Sequence, residues 1–325
     1  MKTILGYEKD LDLAAELLKK GELVAFPTET VYGLGAVSTD VEAVKKIFVA
    51  KGRPSDNPLI VHVADMDGVR SVASVVDDRA ELLFSKFSPG PLTLILPKRP
   101  EVPYQVTAGL ETVGVRIPDH PLTLELLRKV GVGVAAPSAN TSSRVSPSRA
   151  MDVMEDMDGK IPMILDGGSC RVGIESTVLD LTKDVPVILR PGAITEEMLL
   201  EVLPEVKTFK GEIKVAEAPG MKYKHYAPTV PCYLVKTPSA ARDFIAAHPD
   251  LRVAVLARTD FFEEFGFGVD LGADLIEFER NIYSALRDSE KNSDVILVEY
   301  PEECGVGKSI LNRIIKSSAG KILGE

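Results

Sequence analysis

The chain has 325 residues, 45% of them hydrophobic and 26% charged, with a net charge of −10. This supports a globular chain of about two domains and argues against a general nucleic-acid binder, which is usually basic. The three cysteines, Cys170, Cys232 and Cys304, are far apart and form no Cys-x-x-Cys pair. They indicate neither a zinc site nor a disulfide framework, and a reducing cytoplasm is the expected location.

The opening residues, MKTILGYEKD, become charged too soon for a signal sequence. No apolar run approaches ~18 residues, so no membrane span is expected. Helical spacing of Leu11, Ala14, Ala15 and Leu18 predicts a helix over 10–19, with Asp10 as its N-cap and Gly21 as its stop. A strand over 22–27 then meets FPTETVYGLG, residues 26–35. Pro27 has no N–H to continue a ladder, and Gly33 and Gly35 allow positive φ and close backbone approach. The stretch reads as a strand that ends and presents hydroxyls, one carboxylate and bare backbone. A plain polar turn would look the same.

Asp40 is expected to cap a helix over 41–50 that buries Val41, Val44, Ile47 and Phe48. KGRPSDNPL (51–59) follows, carrying Lys51, Arg53 and Asn57, with Pro54 and Pro58 keeping it from being helical. It fits either an anion clamp or a solvated basic turn. Leu59–Val63 is a predicted strand with His62, and 78–87 a helix. A turn and a strand occupy 88–98. ETVGVRIP (111–118) is a short strand with Thr112 and Arg116, whose guanidinium faces either solvent or a ligand.

A helix over 120–129 and a buried strand over 132–136 come next. The strand opens into APSANTSSRVSPS (136–148), which offers Ser138, Asn140, Ser146 and other donors to an anion. A helix over 149–156, a strand over 163–166 and the stretch GGSCRVGIESTVLD (167–180) follow, then a strand over 187–190 ending in Arg190. Thr195 caps a helix with glutamates in its first turn. Residues 205–231 lose all periodicity, hold three prolines and contain KYKHY around His225 and Tyr226. A linker that long suggests a role beyond connection.

After it, strands (230–236, 251–258, 294–301) alternate with helices (239–248, 277–291, 306–318), which predicts a small parallel α/β domain. GVGKS (305–309) is no P-loop, because Glu302 stands where the full pattern needs glycine.

Several apolar strands thus end in polar, cation-bearing loops, an arrangement that in α/β sheets builds one pocket. A pocket with many cations and no nucleophile triad suits phosphoryl or nucleotidyl transfer. Taken in order, PTETVYGLG, KGRPSDNPL, GVRIPDHP, APSANTSSRVSPS and GIESTVLD resemble the YrdC-like family, and GMKYKHYAP with the α/β tail resembles its long, two-domain form. The loop departs from the family pattern at Ser143, where glycine is expected, and at Val145, where proline is expected.

The resemblance implies a YrdC-like twisted mixed sheet with helices over 1–208, a linker or lid over 209–230 and a small Rossmann-like α/β domain over 231–325. It implies a synthase that joins L-threonine, bicarbonate or CO2, and ATP into threonylcarbamoyl-adenylate and releases pyrophosphate, for modification of tRNA. Thr30, His62, Arg116, Ala136 and Ser176 would hold threonine. Arg53, Asn57, Thr112, Ser138, Asn140, Ser146, Arg190 and Tyr226 would face ATP, with Lys51 and Arg53 countering charge at the phosphates and His225 and Tyr226 in a lid. Mg2+ would accompany ATP, with no protein side chain as ligand, and downstream tRNA-modification proteins would be partners, with no direct DNA contact. A YrdC-like RNA-binding module without turnover is the alternative.

Overall fold

The computed structural model describes residues 2–209 and 226–324, in which the strands form two sheets. The larger sheet holds β1 (Ile4–Gly6), β2 (Val24–Phe26), β3 (Gly33–Val37), β4 (Ile60–His62), β5 (Leu92–Pro97), β6 (Thr112–Arg116), β7 (Val134–Ala136), β8 (Met163–Leu165), β9 (Thr177–Asp180), β10 (Val187–Arg190) and β11 (Lys207–Thr208). Their order is β1-β8-β2-β3-β7-β4-β6-β5-β9-β10-β11. The sheet is mixed, as expected: β4 pairs β6 in parallel and β7 in antiparallel register.

Helices cover both faces because each carries an apolar stripe. α1 (Leu11–Lys19) buries Leu11, Ala14, Ala15 and Leu18 against α6 (Pro121–Val130). Full burial of one such leucine contributes about 2 kcal/mol. Asp10 precedes α1, but its carboxylate accepts from the Tyr7 N–H, one turn earlier. On the other face lie α2 (Val41–Lys51), α3 (Met66–Val72), α4 (Asp78–Phe87), α5 (Tyr104–Thr107), α7 (Ala150–Met157) and α8 (Glu196–Leu200), whose buried residues join a second core cluster. Asp40, Asp65, Asp77 and Thr195 cap their helices by accepting a backbone N–H.

The smaller sheet is wholly parallel. It contains β12 (Cys232–Val235), β13 (Val253–Ala257), β14 (Val269–Asp270), β15 (Val295–Glu299) and β16 (Ile322–Leu323), in the order β14-β13-β15-β12-β16. Its helices are α9 (Pro238–Ala247), α10 (Thr259–Glu263), α11 (Leu275–Ser289) and α12 (Val306–Ser317). Strand–helix alternation in the sequence is thereby realised.

The two sheets are joined by a shared core. Val31, Val145 and Ile174 from the larger half pack with Ile282, Tyr283, Ile310 and Ile314 of α11 and α12. At Gly173, with φ of 91°, an added Cβ would lie 2.4 Å from the Arg280 carbonyl oxygen on α11. Only glycine permits that approach.

Three expectations need correction. Gly33 and Gly35 lie within β3, paired with Phe26 and Val24, and neither is among the glycines of positive φ. They are small because a Cβ on Gly35 would come within 2.6 Å of the Phe26 ring and 2.8 Å of Val134. Lys51 is the last residue of α2, not the first of the loop, because Gly52 (φ 60°) supplies the left-handed stop. Helices α3, α5 and α10 are additional, being too short to show a clear period. The GVGKS stretch opens α12, and the Lys308 ammonium lies 2.7 Å from Glu197 and 3.5 Å from Glu196 of α8.

Candidate active site

The middle strands of the larger sheet set the geometry. The parallel register of β4 and β6 puts His62 beside Arg116, and the antiparallel register of β4 and β7 puts Ile60 beside Ala136. A single bridge joins Gly33 to Ser138 just beyond. Across the sheet, β9 follows directly on Ser176, and β10 ends on Arg190 after an irregularity in its register. These ends surround a cleft.

The cleft brings together Thr30, His62, Arg116, Ala136 and Ser176, and also Arg53, Ser138, Arg190 and Tyr226. Thr28 shapes the segment that carries Thr30. Its hydroxyl accepts from the Thr30 and Val31 N–H groups and donates to the Val31 carbonyl, an ST-turn. The Thr28 and Thr30 hydroxyls are 2.8 Å apart.

Arg116 is 4% exposed and Glu29 is 1% exposed, with Nη2 of one 2.7 Å from Oε2 of the other. Their alignment makes no hydrogen bond, and Arg116 Nη2 and both Glu29 oxygens lack one. Arg116 Nε does donate to the Gly90 carbonyl at 3.3 Å. Arg116 thus faces neither bulk solvent nor an exposed sheet surface. His62 is buried against it, and burial with the neighbouring guanidinium drives its imidazole down to about 3, so it is neutral near pH 7. Its Nδ1 lacks a partner.

Ser176 Oγ lies 2.8 Å from Thr93 Oγ1, and Arg190 Nη2 donates to Ser176 O at 2.8 Å and Oγ at 3.1 Å. Glu175 also lines the cleft. Burial pushes its carboxyl up, but Arg313, Arg190 and the hydrogen bonds from Ser146 and Arg313 outweigh that and hold it at about 2. Tyr226 is buried in a left-handed conformation (φ 63°), stacked on Tyr283 at 5.7 Å, with the Arg313 guanidinium 5.6 Å from its ring centre. The Ser317 hydroxyl donates to its carbonyl.

The remaining candidates lie behind the cleft surface. Lys51 Nζ donates at 2.5 Å to the carbonyls of Ser138 and of Asn140, so it ties down the serine loop. Burial, and then Arg53, lowers its ammonium well below the lysine range. Asn140 accepts from the Ser138 hydroxyl and donates to the Thr141 and Arg144 carbonyls. Ser146 donates to Glu175. Asn57 is buried, with its Oδ1 unpaired. Thr112 starts β6, opposite Pro97, and does not line the cleft. His225 lies outside the described residues.

The spread of motifs along the larger sheet and the all-parallel second sheet can be set beside known proteins. A family model described as "Telomere recombination" (Sua5/YciO/YrdC) matches residues 16–192, and one described as "Threonylcarbamoyl-AMP synthase, C-terminal domain" matches 194–319. The chain belongs to the Sua5/YciO/YrdC family. The YrdC-like resemblance of the motifs, in its two-domain form, is therefore correct. Among relatives, threonylcarbamoyl-AMP synthase of Bacillus subtilis is 44% identical over 95% of this chain and 93% of its own. The crystal structure of Pyrococcus abyssi Sua5 with L-threonine superposes with a TM-score of 0.93 at 42% identity, covering 98% of this chain and 99% of that one. A P. abyssi Sua5 variant in which a consecutive His–Tyr pair is replaced by alanines gives 0.91 at 41% identity, over 98% and 97%.

Sequence reasoning missed Glu175 in the lining of this Sua5-family cleft, and Glu29 and Thr93 as the partners of Arg116 and Ser176. Glu175 carried a signal: a carboxylate immediately before Ser176, at the start of an apolar strand, needs a buried partner. Its partner, Arg313, lies far along the chain and gave no local sign.

Proposed function

We infer that the chain is a threonylcarbamoyl-AMP synthase, a nucleotidyltransferase that makes L-threonylcarbamoyladenylate and pyrophosphate from L-threonine, bicarbonate or CO2, and ATP, for threonylcarbamoyladenosine modification of tRNA. The observation that carries it is the convergence of Thr30, His62, Arg116, Ala136 and Ser176 on one cleft, in a chain that superposes closely on a threonine-bound relative.

Threonine would lie with its carboxylate toward Arg116, whose guanidinium offers a bidentate grip. Neutral His62 would add no positive charge beside the threonine amine, which loses its ammonium proton to solvent, attacks CO2 and releases a second proton to solvent as the carbamate forms. A carbamate oxygen then attacks the α-phosphorus of ATP; the bond from that phosphorus to the bridging oxygen breaks, and pyrophosphate leaves. Arg53 and Arg190 would counter charge on the phosphates. Lys51, with Asn140, would serve the nucleotide chiefly by fixing Ser138. Asn57, Thr112 and Ser146 would act from the nucleotide side. Mg2+ would come with ATP and hold phosphate oxygens and water, since the one carboxylate of the cleft lining among the described residues, Glu175, is committed to Arg313 and Ser146.

Residues 1–208 would form the catalytic part, 209–230 a linker and 231–325 the second domain. A carbamate is labile in water, so the linker, with His225 and Tyr226, would close over the cleft. The buried Tyr226 supports this, as does the single His–Tyr step of this chain beside the paired alanine variant of the relative. No described helix is long and apolar enough to cross a membrane; action in the cytoplasm beside downstream tRNA-modification proteins follows from this function. The test is pyrophosphate release from ATP, with threonine and bicarbonate each withheld in turn. Salt-sensitive RNA binding without such turnover would overturn the enzyme in favour of an RNA-binding module.

A further inference from the structure

We propose that Arg144 is a latch, a positioning residue through which the end of α11 holds the serine loop, 138–146, in the shape that presents Ser138 to the cleft. The proposal deepens the functional reading of the cleft given above and rests on it.

Arg144 is the cation of that loop, yet its side chain turns away from the cleft. Its guanidinium bridges two carboxylates from different halves of the chain. Nη1 donates to Asp156 Oδ1 of α7 at 2.5 Å, and Nη2 donates to Glu290 Oε1. Both carboxylates are buried. Glu290 directly follows α11. The carboxyl end of a helix is partially negative, so a glutamate there does nothing for the helix itself. Its oxygens are used outside the helix, Oε1 by Arg144 and Oε2 by the Thr229 N–H at 2.7 Å.

A short relay runs from Arg144 to the cleft. The Arg144 carbonyl accepts from Asn140 Nδ2 at 2.9 Å, and Asn140 Oδ1 accepts from the Ser138 hydroxyl at 2.5 Å. Ser138 lines the cleft. The relay spans a turn that the loop does not favour by itself. Ser143 stands at φ 74°, a region costly for a residue with a side chain.

Contacts from outside the loop keep it there. Lys51 holds the first part, donating to the Ser138 and Asn140 carbonyls and accepting from the Ser142 N–H. The next three residues are each met by the chain from Ala227 onward. The Ala227 N–H donates to the Ser143 carbonyl at 3.0 Å, Glu290 takes Arg144, and Arg287 of α11 donates twice to the Val145 carbonyl. Without the latch, Asn140 loses a fixed acceptor and Ser138 its fixed direction. A nucleotide must then order the loop as it binds, and its affinity falls by that cost.

The test uses the full chain with Arg144→Met, Arg144→Lys and Glu290→Gln. It reads amide hydrogen exchange over 138–146, affinity for a non-hydrolysable ATP analogue, KM and kcat for ATP, and melting temperature. Arg144→Met should exchange faster in that loop and bind the analogue about tenfold more weakly. Saturation with the analogue should restore wild-type protection, so KM for ATP should rise while kcat stays close to wild type. Arg144→Lys should recover part of the affinity. Glu290→Gln, which keeps the acceptor and loses the charge, should fall between Arg144→Met and wild type. Analogue affinity of Arg144→Met within about twofold of wild type overturns the proposal. So does faster exchange across both sheets with a lowered melting temperature, which marks general loosening. Absence of threonine-dependent pyrophosphate release by wild type counts against the enzyme reading, and loop exchange still decides the latch. Wild-type turnover beside variants that bind the analogue equally well counts against Arg144 alone.

Discussion

The Arg116 guanidinium and the Glu29 carboxylate approach to 2.7 Å beneath the cleft without aligning into a hydrogen bond. The pair is electrically balanced yet leaves directed hydrogen-bonding capacity on both partners. A ligand carboxylate can therefore add to Arg116 without first displacing a well-formed bond.

Arg116→Ala should have two separable effects. Threonine binding should weaken by roughly 2–4 kcal/mol, the scale of removing a charged hydrogen-bonding partner. The fold should also lose about 3 kcal/mol or more, because Glu29 is left as a buried, unmatched carboxylate. Adding Glu29→Gln should return much of the second loss and none of the first. Calorimetric threonine titration and thermal melts of the single and double variants decide it; a threonine affinity equal to wild type would remove Arg116 from the site.

Tyr226→Ala should weaken nucleotide binding by about 1–3 kcal/mol, the range for losing one aromatic platform. The ring is held between Tyr283 and Arg313, so its position does not depend on the ligand. Titration with an ATP analogue is the measurement, and an unaltered affinity would show that the ring serves the domain junction only.

Ser143→Gly should stabilise the chain by roughly 0.5–1 kcal/mol, because a side chain there sits in the left-handed region. Ser143 has φ of 74°, and its carbonyl accepts from the Ala227 N–H at 3.0 Å. Glycine would keep that bond and relieve the backbone. Thermal melts read the change; a lower melting temperature would refute it.

Glu279 gives a pH prediction. It is buried on α11 with Oε1 unpaired, and burial raises its carboxyl to about 8, against a small pull from Arg313. An acid whose folded value is raised binds more protons in the folded chain. Its effect is absent below the unfolded value near 4.5 and grows as an increasing penalty from there to about 8. Glu279→Gln should therefore change little at pH 4.5 and stabilise by ~2 kcal/mol or more at pH 8, at about 1.4 kcal/mol per unit. Chemical denaturation across that range checks the slope, and a variant parallel to wild type at every pH would sink the assignment.

Much of the fold was legible because local chemistry decided it. Asp40 and Thr195 cap as their side chains require, and α4 occupies the residues its spacing marks out. The cleft was legible as a set of loops, since polar residues at strand ends have few other uses. What was hidden depended on distant contacts. Nothing near Gly35 announces that the Phe26 ring needs its space. Lys51 looked like a cation awaiting a phosphate; only the fold brings two carbonyls to its ammonium. The Ser143 departure was visible in sequence, but its cost was not, because the cost lies in a backbone angle. The join between the two halves was hidden by distance: Arg313 and Glu175 are 138 positions apart.

Gly173 has a consequence for how this protein can change over generations. Its backbone rests on the main chain of α11, with no room for one methyl group. A substitution there would not merely disturb a loop. It would wedge the halves apart at the point where Arg313 reaches Glu175, and no replacement side chain on α11 could make room, since the obstacle is backbone. The two halves are thus held to a common tolerance smaller than one carbon atom, and neither can drift in shape along this seam without the other.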